Sequence, residues 1–158
     1  MFLGISYSRA RQTASAGLVL ATLAACPWLI GGQEPTVEEL KTRVGSAPVA
    51  DRPPLCIRIC ERQLEAADKF YIAGDSANAG AALTDVVAFA ELARDYAIQS
   101  RKHEKPSEIA IRKLTRKLSD LKHTVAVTDQ EQIQNAVDRL ERIRDDLLLA
   151  MFPKGGKK

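Results

Sequence analysis

Ala79, Leu83, Val86, Ala90, Ala93 and Ala97 recur at alternating intervals of four and three. Only an α-helix lines such a series up on one face. Four of the six side chains are single methyl groups, so the helix that carries them can approach a neighbour closely, because axial separation follows the side chains at the contact. Phe89 and Tyr96 flank the row. The row predicts a helix from about Ser76 to Lys102, and a chain built around it must supply other helices to cover it.

Three further apolar stripes meet that need. Leu55, Ile59, Ala66 and Phe70 form one strip, and Cys56, Cys60, Leu64, Ala67 and Tyr71 a second beside it, which together make the wide apolar face of a core-facing helix. Asp51 reads as its N-cap, with Pro53 and Pro54 in the first turn, where a missing amide does little harm. Gly74 closes it, and Asp75 or Ser76 opens the next helix. After the break "RKHEKPSE", with Pro106 expected at the first helical position, Ile111, Leu114, Leu118, Leu121 and Val125 follow a heptad seam of coiled-coil type. Thr128 with Glu131 reads as a capping box for a last helix. That helix carries Ile133, Val137, Leu140, Ile143 or Arg144, Leu147 and Met151, and stops at Pro153.

No strand-like alternation falls between Asp51 and Phe152. The expectation is an all-α fold, an antiparallel up-down four-helix bundle over residues 51–152. About 100 residues can bury one core without metal or disulfide. Residues 34–50 read as a linker with a short helix: Thr36 and Glu39 form a capping box, Val37, Leu40 and Val44 share a face, and Gly45 and Pro48 end it. Residues 153–158 read as a flexible basic tail.

Residues 1–33 read as a signal peptide. Arg9 and Arg11 precede a run from Thr13 to Ile30 of apolar or small residues, the order of a Sec-type export signal, and no twin-arginine pair is present. Leu23 to Cys26, "LAAC", resembles the lipobox of bacterial lipoproteins, which would make Cys26 a lipidated first residue. The alternatives are an ordinary cut near "GGQEP" and an uncleaved anchor. Each implies a bacterial protein of the periplasm or cell envelope. Taking Arg9 and Arg11 from the 23 basic residues leaves 21 against 20 acidic ones. A nearly neutral domain gives no reason to expect a nucleic-acid partner, and a membrane contact is expected only through a lipid or an N-terminal anchor.

"ADKFYIAGDSANAGAAL" resembles the turn region of a tetratricopeptide repeat, with Tyr71, Gly74-Asp75, Ala79 and Ala82 in the usual places. The match spans about half a repeat, and no second copy appears at the ~34-residue period of such arrays.

Two sets of side chains stand out as candidate sites. Cys56 and Cys60, one helical turn apart, fit three readings: small core residues, a disulfide along a helix face, or a soft-metal pair for copper or zinc. Zinc would need more ligands, and the only histidines are His103 and His123. The second set is the basic run Arg112, Lys113, Arg116, Lys117 and Lys122, which reads either as a face for an anionic partner or as a surface paired with Asp138, Glu141, Asp145 and Asp146 of the last helix. No nucleophile, base and orienting group recur at a catalytic spacing, and the Glu-x-x-His pairs of di-iron bundles are missing. The chain is therefore expected to be no enzyme and to need no cofactor. The expected role is an exported, non-catalytic module that binds a protein partner or itself, with periplasmic metal binding at Cys56 and Cys60 as the alternative.

Overall fold

The computed structural model describes residues 34–153. The segment expected to be an export signal, with Cys26, and the end of the expected basic tail lie outside the described residues. Among those described, the secondary structure is helical, with no strand. Five α-helices follow one another: α1 Val37–Ser46, α2 Arg52–Ile72, α3 Ser76–Ser100, α4 Glu104–Lys122 and α5 Val127–Met151, with a 3-10 turn at Val49–Asp51 leading into α2.

The ends of these helices show which local signals act. Thr36 and Glu39 close a reciprocal capping box on α1. The C-terminus of α2 is a full Schellman motif, in which Asp75 N–H donates to the Phe70 carbonyl and Gly74 N–H to that of Tyr71. The motif requires the left-handed backbone that Gly74 adopts at φ 75°. Asp75 then caps α3 by accepting from Asn78 N–H at 3.1 Å.

Three expected boundaries differ. Asp51 makes no side-chain cap, because it is already in helical conformation inside the 3-10 turn. The Thr128–Glu131 box does not form: α5 starts two residues earlier, with Ala126 at the cap position and Thr128 inside the first turn. Helix α4 starts at Glu104, ahead of Pro106, because the link from α3 turns through left-handed Arg101 (φ 55°) and His103 (φ 62°).

The four long helices bury most of the expected stripes, though Leu55, Ala66 and Phe70 of α2 and Met151 of α5 stay half-buried and Ile57, in neither expected α2 strip, is buried. Ala79, Ala90, Ala93 and Ala97 are fully enclosed, as are Ile59, Ile111, Leu118, Leu140 and Leu147. Of the pair left open on α5, Ile143 enters the core. Helix α2 lies against α3, with Arg52 over the Tyr96 ring, Cys60 beside Val86, and Gln63 bonded to Asp85, so residue numbers rise in opposite directions. The same holds for α4 and α5, where Lys122 meets Gln134 and Glu108 meets Arg144.

Between these pairs the direction is shared. Ser76 bonds to Asp129, Glu91 to Arg139 and Arg94 to Asp146, so α3 and α5 run the same way. Since α2 opposes α3 and α4 opposes α5, α2 and α4 share a direction as well, and Leu64 and Asp68 of α2 line one recess with Lys117 and Leu121 of α4. No close backbone approach joins α2 to α5. Helix α1 covers the first pair: Leu40 and Val44 are buried, Lys41 reaches Asp85 and the face of Phe89, and Arg62 pairs with Glu34. No helix among the described residues is long and apolar enough to cross a membrane.

Candidate functional site

Helix α4 owes its surface to its own seam. Burying Ile111, Leu114, Leu118 and Leu121 turns the remaining positions outward, and from Lys105 to Lys117 every exposed charge there is positive: Lys105, Arg112, Lys113, Arg116 and Lys117. Twelve residues at 1.5 Å each make a basic ridge of roughly 18 Å. The first exposed acid is Asp120.

Two of the four acids of α5 that could have neutralised this ridge are engaged elsewhere. Asp146 pairs with Arg94 of α3 at 2.9 Å, and Asp138 accepts from Gln134. The ridge touches one buried carboxylate, Glu108, at 3.8 Å from Arg112, but Glu108 is held more closely by Arg144 at 2.8 Å. That hydrogen bond also raises the Arg144 pKa. Among the described residues, Lys105, Lys113, Arg116 and Lys117 have no acidic group within ion-pair distance. Lys122, half-buried, donates to Gln134 at 2.7 Å and is turned away from the ridge.

A groove runs along each side of the ridge. Toward α5, a recess of about 310 Å³ is lined by Arg112, Thr115, Arg116, Glu141 and Arg144, three cations to one acid. Toward α2, a recess of about 380 Å³ sets Lys117 among Glu65, Asp68 and Asp120 over a floor of Leu64 and Leu121. The two sides of α4 thus carry opposite charge. Glu141 and Arg144 were not singled out as site residues. Glu108 offered the available signal, since it falls one turn before Arg112 at the margin of the predicted seam, where a carboxylate needs a cation.

Cys56 and Cys60 lie in the core between α2 and α3, both fully buried and both free thiols. Cys60 Sγ donates to the Val86 carbonyl at 3.3 Å. Burial pushes the Cys56 thiol up to about 11, against an opposing pull from Arg52, and pushes Cys60 further in the same direction. Among the described residues, no three His, Cys, Asp or Glu side chains gather where they could share a metal ion. His103 and His123 are exposed at opposite ends of α4. Chemically the pair amounts to two protonated thiols in an apolar shell, which makes them weak nucleophiles.

A third recess, about 390 Å³, opens where the α2–α3 and α4–α5 turns meet, between Tyr71, Ser76, Thr124 and Asp129. The Tyr71 hydroxyl is enclosed there without a hydrogen-bond partner, and burial, with the Asp129 charge, raises its pKa.

No family model, curated protein or solved structure matches the chain.

Proposed function

We propose that this chain is an exported, non-catalytic interaction module of the bacterial cell envelope, and that it holds a protein partner against the basic ridge of α4. In this reading the four long helices form an up-down bundle in which two antiparallel hairpins lie side by side. The export signal in residues 1–33 supports the location, with Cys26 or an uncleaved segment as the tether if one is used. The side-by-side placement suits a binding role, since stacked helical hairpins present extended helix faces to partners.

The observation that carries the reading is the run of five exposed cations from Lys105 to Lys117 with no exposed acid among them. A solvated structural face mixes both signs, as the outer face of α5 does; a single-sign ridge steers and orients an oppositely charged surface. A protein is favoured over a lipid surface because a membrane-binding helix sets Trp, Phe or Leu beside its cations. Among the described residues the large exposed apolar side chains, Ile72, Leu92, Val127, Leu149 and Phe152, all lie off α4.

Photo-crosslinking in the native host tests the reading. A photoreactive residue at Lys113 or Lys117 should give a discrete protein adduct that a second charge reversal at Arg116 abolishes, while the same probe at Ala81 on the exposed face of α3 should give none. Equal yields at Ala81 and on α4, or no adduct from α4, would refute it.

A further inference from the structure

Resting on that reading, we infer that the partner element is an acidic amphipathic helix, and that it lies in the groove between α4 and α5 with carboxylates at the Arg112–Arg116 end and apolar side chains toward the C-terminus of α5. The groove has two walls of different character along its length. At one end Arg112 and Arg116 face Arg144 across a recess whose one acid is Glu141. Because Arg144 is bonded to Glu108 at 2.8 Å and Arg112 touches it only at 3.8 Å, Arg116, with no acid in ion-pair distance among the described residues, and Arg112 beside it are the cations most open to an incoming carboxylate. Toward the other end the α5 strip becomes apolar, with Leu148, half-buried, four residues after Arg144, while on α4 Ile109, also half-buried, stands level with Arg144 beside Glu108. Phe152, another turn along, is 71% exposed.

A helix is the element that matches two such walls. Its own ridges repeat at three and four residues, the spacing at which Ile109, Arg112 and Arg116 repeat on α4 and Arg144 and Leu148 on α5, with Phe152 at the cap just past its end. The first hairpin offers a precedent, because α1 covers its outer side with Leu40 and Val44. The α4–α5 side has no such cover among the described residues. The opposite groove, beside α2, carries Glu65, Asp68 and Asp120 and would repel the same ligand, so charge selects one side of the ridge.

Photoreactive residues at Arg116, Glu141 and Phe152 of the full-length protein, expressed in the native host, would test the inference, with the crosslinked residue of the partner mapped by mass spectrometry. The expected result is that all three sites reach one partner segment with several Glu or Asp and apolar residues at helical spacing. A synthetic peptide of that segment should bind the purified full chain. Arg112→Glu or Arg116→Glu should weaken it at least tenfold and Phe152→Ala about fivefold, while Thr84→Ala leaves it unchanged; circular dichroism confirms that each variant is folded. Adducts at Lys113 and Lys117 without any at Glu141 or Phe152 would overturn the groove while leaving the basic-ridge reading intact. Adducts mapping to a second copy of this chain or to a non-acidic segment would overturn the inference, and so would binding to phosphatidylglycerol vesicles with no protein adduct. Loss of every adduct from α4 would remove both.

Discussion

Gly80→Ala should stabilise the protein slightly, and the sign depends on one side chain. Gly80 sits buried in the first half of α3, where alanine is favoured over glycine by about 1 kcal/mol in a helix interior. Against this gain stands a close approach from α5: an added Cβ would clash with Gln132 Nε2 and meet Oε1 at 2.8 Å and Cδ at 2.9 Å. These atoms are the far end of a flexible, exposed side chain, so the amide can swing away at a rotamer cost of about 0.5 kcal/mol. The difference leaves about 0.5 kcal/mol of net stabilisation, a rise of roughly 2 °C in Tm for a domain of this size. Urea unfolding followed by far-UV circular dichroism would measure it, in the wild type and in a Gln132→Ala background. In that background the obstruction is gone, and the alanine should give its full ~1 kcal/mol. A loss above about 0.5 kcal/mol that persists without the Gln132 side chain would refute the reasoning, since the backbones of α3 and α5 would then be the obstacle.

Other expectations can be checked by similar means. With the Cys56 thiol raised from 9.0 to about 11, the unfolded chain loses its proton first as pH rises. Stability should therefore fall from about pH 9 toward pH 11 by up to about 1.4 kcal/mol per unit for each thiol, and Cys56→Ala should flatten the slope of denaturation curves taken across that range. At neutral pH both cysteines should take up iodoacetamide only after unfolding, and rapid labelling of the native protein would contradict their burial. Glu108→Gln, which releases Arg144, should cost about 1 kcal/mol in urea unfolding, the arginine being too exposed for the full penalty of a broken buried pair. Asp75→Ala, which removes the α3 cap, should cost about 1 kcal/mol, and Gly74→Ala a similar amount from its left-handed backbone.

The helices themselves were legible because each carries a face. The alanine row of α3 lies where its periodicity put it, as does the seam of α4 up to Leu121, with Val125 falling in the turn after Lys122, and Gly74 with Asp75 marks the turn between α2 and α3. The caps were read less well. Thr128 and Glu131 have the right spacing, but Ala126 adopts the extended conformation that starts the helix, and spacing alone does not say which residue leaves the helix first. The basic run of α4 was visible in the sequence, whereas whether α5 neutralises it was left open there. Asp138 and Asp146 occupy positions that look available, yet α5 directs Asp146 toward α3. Periodicity tells which face of a helix is buried and leaves open which helix covers it. The contact of α3 with α5, and with it the α4–α5 groove, needed coordinates.

The way the helices pair has a consequence for how the chain comes apart. The contacts of α2 with α3, and of α4 with α5, close through turns of a few residues, while the hydrogen bonds joining α3 to α5 link residues 53 and 52 positions apart, Ser76 to Asp129 and Arg94 to Asp146. Local closures form quickly and at small entropic cost, and distant ones follow. The line between the pairs is therefore a natural parting plane. Native-state hydrogen exchange should register it as two tiers, with the amides at the N-terminus of α5 exchanging through a partial opening that leaves those of α3 beneath α2 protected until the whole chain unfolds.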